Sequence, residues 1–179
     1  MAALPQQQIA AAEEFADATL DELETAAGVH PETAVAAAAG MAGSFLLRSF
    51  GFDLAHLAPG TAVLSDEANQ QGPRLVQILG GVLAHGGVPL DREILGRGPD
   101  PDRLSQLDFL AGQAALEAAF LAVGARHRLA PLAAAEAAAA ATGFLIQQFA
   151  EELDPSIAFG LAVYGFIAGA KTVPGPAAP

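Results

Sequence analysis

The stretch Ala58–Arg92, APGTAVLSDEANQQGPRLVQILGGVLAHGGVPLDR, decides how the chain is read. From Pro73 to His85 two faces separate at the 100° step of an α-helix. Leu75, Leu79, Val82 and Leu83 form an apolar stripe, and Arg74, Gln77, Gly80, Gly81, Ala84 and His85 lie opposite. A strand would need strict alternation, which the segment lacks. Ahead of this helix, polar groups gather at Thr61, Ser65, Asp66, Glu67, Asn69, Gln70 and Gln71. Ser65 suits the N-cap of a short helical segment, with Asp66 and Glu67 at its positive end. Gly72-Pro73 is expected to break or kink that segment, and Gly86-Gly87 to stop the helix that follows.

Two glycines inside a helix cost about 1 kcal/mol each relative to alanine. A solvated face gains nothing from them, whereas a closely packed neighbour does. The Gly80 face is therefore expected to meet another helix. One version places the contact across the two-fold axis of a homodimer. The other places it within the chain, on the small-residue stripe Ala158, Ala162, Gly165 and Gly169.

Working outward, the same period recurs along the chain. Gln7–Ala27 carries Ile9, Ala12, Ala16, Leu20 and Leu23 on one stripe and a solvated acidic face, with Gly28 as a stop. Pro31 to about Phe50 is nearly uncharged, and Ala36, Gly40 and Gly43 line up as small residues that admit a close neighbour. Asp100-Pro101 reads as a helix start, an Asp N-cap followed by Pro at the first position. The helix from there to about His127 is apolar almost all round, which predicts the central position. Arg126, His127 and Arg128 complement its negative end, an anion site being the alternative. Pro131–Leu153 and Pro155–Lys171 complete the set. The expected fold is an all-α bundle of five main helices plus one or two short ones. It forms a single domain over residues 1–171 with 172–179 as a disordered tail.

Composition narrows the function classes. The chain has 179 residues, a formal net charge of −12 and no cysteine. Phosphate backbones demand a basic footprint, so nucleic acid is not an expected partner. Thiolate chemistry and zinc–thiolate sites are excluded. The first fifteen residues, MAALPQQQIAAAEEF, lack the basic and continuous apolar regions of a secretory signal, and a cytoplasmic location is expected. Apolar runs fall short of the roughly 20 residues a membrane span needs.

Chemistry-bearing residues are sparse. His30, His56, His85 and His127 are scattered and form no metal motif. No metal or cofactor is expected, although His56, Glu67, His85 and Asp91 would converge if the 58–92 stretch folded back on itself. Ser65, His85 and Asp91 supply the types for a hydrolytic triad, but no nucleophile elbow surrounds Ser65.

The leading expectation is a non-catalytic interaction or scaffold protein, homodimeric through glycine-faced helices. The alternative is a helical module binding a small apolar or amphipathic ligand, with the 61–74 segment at the pocket mouth. An enzyme using Ser65, Glu67, Arg74 and His85 is the third reading. The residues singled out for ligand or interface are Ser65, Glu67, Asn69, Arg74, Gln77, Gly80, Gly81 and His85.

Overall fold

The chain is all-α. The computed structural model describes residues 4–95 and 100–175, which fold as α1 (Gln6–Leu23), α2 (Pro31–Ser49), α3 (Asp66–His85), α4 (Arg92–Leu95), α5 (Phe109–Arg126), α6 (Pro131–Gln148) and α7 (Pro155–Lys171). Capping chemistry sets several of the starts. The side chains of His30, Ser65, Asp108 and Asp154 each accept a backbone N–H of the helix they open. Pro31, Pro131 and Pro155 follow their caps at the first position, where a missing N–H costs nothing.

The hub is α2 rather than the expected 101–127 helix. It touches α1, α3, α5, α6 and α7, and nearly every residue from Glu32 to Leu47 is buried. The reason lies in residue size. Ala36, Gly40 and Gly43 let α7 approach until backbones meet. A Cβ on Gly43 would stand 2.7 Å from the Ala170 nitrogen, and one on Gly165 would stand 2.7 Å from the Ala36 carbonyl oxygen. The stripe Ala158–Gly169 thus packs on α2, not on the Gly80 face of α3. The alanines at 134, 135 and 137–141 of α6 fill the space on another side of α2, and Phe15, Phe45 and Phe120 close the core between α1, α2 and α5.

Helix α5 begins at Phe109, with Asp108 as its cap, and the Asp100-Pro101 start is not used. Asp100 instead opens a turn, its carboxylate accepting the Asp102 N–H at 3.0 Å. The segment after it is drawn across the start of α2. Arg103 reaches the buried Glu32 at 3.1 Å, and the Gln106 N–H donates to Thr33 Oγ1 at 2.9 Å. These tertiary bonds compete with helix at 101–107 and win.

Helix α3 runs unbroken through Pro73. A residue before proline is pushed out of the helical region chiefly by its own Cβ, and Gly72 has none. The lost hydrogen bond falls at Asn69, which is exposed to water.

Residues 172–175, expected as part of a disordered tail, are ordered against the bundle. Val173 is buried, its N–H donates to the Thr61 carbonyl at 2.8 Å, and the Gly60 N–H donates to the Val173 carbonyl at 2.9 Å. The buried side-chain amide of Gln113 accepts the Gly175 N–H at 2.8 Å. Residues 172–175 are therefore fastened to the bundle, and 176–179 lie outside the described residues. Among the described residues no single helix is long and apolar enough to cross a membrane. Helices α5 and α6 pass such a test only as a pair, bent by 116°.

Candidate functional site

The continuous α3 settles where the expected site residues lie. Ser65 caps it, its Oγ accepting the Ala68 N–H at 3.2 Å, and His85 is its last residue. Twenty residues of helix separate them, about 30 Å at 1.5 Å per residue. Ser65, Glu67, Arg74 and His85 do not converge, so the enzyme reading built on them fails. The triad of Ser65, His85 and Asp91 fails for the same reason. The set His56, Glu67, His85 and Asp91 does not come together as a metal site, and no other such group occurs among the described residues.

The polar residues of α3 serve the fold. Arg74 reaches over to the buried Glu136 of α6, Nε to Oε1 at 2.5 Å, while Gln8 of α1 donates to the other oxygen at 3.0 Å. Asn69 Oδ1 accepts from Lys171 Nζ at 2.6 Å. The 61–63 segment expected at a pocket mouth is taken up by pairing with the tail. Glu67 and Gln77 are exposed. Gly80 and Gly81 are half-buried; a Cβ on Gly80 would meet only the edge of the Phe159 ring, 4.0 Å away. Gly80 itself is thus not the point of a close backbone approach by another helix of the chain.

Arg74–Glu136 is one of three similar clamps. Arg48 of α2 pairs with Glu117 of α5, and Arg103 pairs with Glu32 of α2. Each glutamate is buried and each arginine comes from another segment. Burial of a carboxylate demands such a partner, so these are structural ties. The position at Arg126 and His127 where an anion site was the alternative reading is taken by the chain's own Glu14 on α1. His127 Nε2 lies 2.8 Å from Glu14, and Arg126 pairs with the other oxygen. The hydrogen bond from His127 leads in holding the Glu14 carboxyl below its ordinary value; desolvation opposes it, and the charges of Arg126 and His127 add to the lowering.

A sizeable concavity lies elsewhere, between α4 and the outer face of α7. Its volume is about 700 Å³, and it is lined by Ile94 and Leu95 of α4, Asp100 and Pro101, and one side of α7 that includes Ile157, Gly160, Tyr164 and Ile167. Ser156 fixes its floor, accepting the Asp91 N–H at 2.7 Å so that the α4 segment is tied to the start of α7. Tyr164 and Ile167 are about half exposed, at 51% and 48%, and Leu95 is 38% exposed. Gly160 sits among them with open space where a Cβ would point. Helix α7 therefore uses two faces. Its glycine stripe meets α2, and its Ile157–Gly160–Tyr164–Ile167 stripe faces the groove.

This groove was not legible in the sequence. Both faces of α7 are apolar, so periodicity alone does not separate the one that packs from the one left open. The usable signal was Tyr164, a residue with a polar tip on an otherwise uncharged helix. Comparison with known proteins finds no matching family model, no matching curated protein and no matching solved structure. The functional reading rests on the geometry.

Proposed function

We propose that the chain is a helical binding module for a small apolar or amphipathic molecule, held in the groove between α4 and α7. The observation that carries this reading is the groove itself. Its volume of about 700 Å³ falls within the range of roughly 300–1,000 Å³ typical of small-molecule sites. Its walls are aliphatic and aromatic, and its few polar groups are Ser156, Tyr164 and Asp100. That is the make-up of a site that gains affinity from apolar burial and orientation from a small number of fixed polar atoms. The 61–74 segment has no part in it.

Titration with the neutral apolar dye Nile red tests the reading. Saturable fluorescence enhancement is expected for the native chain. Gly160→Leu starts a side chain from a Cβ position with nothing within 4 Å, on the groove lining, and should abolish the saturable phase while the helical circular dichroism is kept. Equal dye binding by the two proteins would refute the reading.

A second reading is supported by the Gly80 face. Arg74, Gln77, Ala84 and His85 are exposed beside the half-buried Gly80 and Gly81, so this side of α3 is turned outward. A non-catalytic scaffold that self-associates through it into a homodimer would use the glycines for close approach. Sedimentation of Gly80→Leu tests it: the mass should fall from dimer to monomer. A monomeric native chain would dispose of this reading and leave the groove untouched.

A further inference from the structure

We propose that the α4–α7 groove selects amphipathic amines: molecules with a single apolar chain and one positively charged nitrogen at its end. This rests on the reading of the groove as a small-molecule site and adds the chemistry of the head group. Among the described lining residues, Asp100 is the only charged side chain. It is partly buried and pairs with no cation among the described residues. Its Oδ1 accepts the Asp102 N–H at 3.0 Å, and Oδ2 has no partner among the described residues. Arg103, three residues on, is committed to Glu32 and does not neutralise it.

Aromatic rings complete the recognition. Phe159 and Tyr164 line the same groove, and ring faces attract ammonium groups through their quadrupole. A carboxylate and aromatic rings lining one groove, on a chain of net charge −12, are complementary to a cation and disfavour an anion of the same shape. The apolar part of the ligand lies along Ile157, Gly160 and Ile167. These span ten residues of helix, about 15 Å at 1.5 Å per residue, which matches an extended alkyl chain of roughly ten to twelve carbons.

Isothermal titration of the full chain with n-decylammonium, decanamide and decanoate, each below its micelle concentration at pH 7, tests this. Decylammonium should bind about tenfold more tightly than decanamide, the sum of one partly exposed charge pair and a cation–ring contact. Decanoate should bind more weakly than either. Asp100→Asn should remove most of the preference for the cation and leave decanamide affinity unchanged. Asp21→Asn, the same charge change on α1, should leave the preference intact and so exclude a general effect of net charge.

If all three probes bind equally at a site that Gly160→Leu blocks, the groove reading stands and the amine proposal is overturned. If none binds at a site that Gly160→Leu blocks, both fall. Displacement of decylammonium by a basic amphipathic helical peptide at lower concentration than decylammonium itself requires would assign the groove to a protein partner and would also overturn the proposal.

Discussion

Gly169 of α7 lies against Gly40 of α2 with no room for a side chain: a Cβ there would overlap the Gly40 carbonyl and stand 2.7 Å from the Ser44 nitrogen. The atoms it would meet are backbone, and backbone cannot step aside as a flexible side chain does. The two helices are therefore spaced by glycine, and that spacing fixes which face of α7 is left for the groove.

Glycines on the two faces of these helices should respond with opposite signs. Gly169→Ala and Gly43→Ala are expected to destabilise by about 3 kcal/mol, the upper end of overpacking costs. Gly160→Ala and Gly80→Ala meet open space or an ordinary contact at 4.0 Å. They should stabilise by about 0.5–1 kcal/mol through helix propensity. Urea unfolding followed by circular dichroism measures all four, and a similar loss in every variant would contradict the assignment of faces.

Arg48 and Glu117 tie α2 to α5, with Gln113 Nε2 donating to Glu117 at 2.7 Å. Arg48→Ala leaves a buried carboxylate with one neutral donor and should cost about 3 kcal/mol. The pair Arg48→Met with Glu117→Leu should recover most of that loss, because an apolar pair needs no compensation. Denaturant midpoints of the single and double variants decide it; a double variant worse than Arg48→Ala would show that the tie stabilises beyond satisfying its own charge.

Acid should weaken the α1–α5 contact at Glu14. Its carboxyl is held below the ordinary 4.5 by the His127 hydrogen bond first and by Arg126 after that. A lowered folded pKa stabilises above the unfolded value and is lost as pH falls through the folded one. Glu14→Gln should therefore melt below the native chain at pH 6, and the two melting curves should converge as pH drops below about 4 toward 2. A gap that stays constant down to pH 2 would remove the ionised Glu14 from the account.

Much of the fold was legible because its starts are written in local chemistry. His30-Pro31, Ser65 and Asp154-Pro155 each place a capping side chain ahead of a helix, and each helix begins there. Asp100-Pro101 carries the same signal and fails, because Glu32 and Thr33 bind the segment after it and Asp108 offers a second cap. Gly72-Pro73 misled for a different reason: the glycine that looks like a breaker is what lets the proline stay in the helix. The site was hardly legible. Ser65 and His85 look adjacent only if α3 folds back, and Arg74 looks available only while its partner Glu136, 62 positions away, is unknown. Small residues on α2 and α7 were visible as stripes, but which stripe meets which is a matter of tertiary packing.

Amide correlation spectra recorded during a titration with decanamide test the central claim most directly. The account predicts saturable shifts at Leu95, Ile157, Gly160, Tyr164 and Ile167, with Gly80, His85 and residues 61–74 unmoved. Shifts centred on α3 or on 61–74, or no saturable shift along α7, would contradict it.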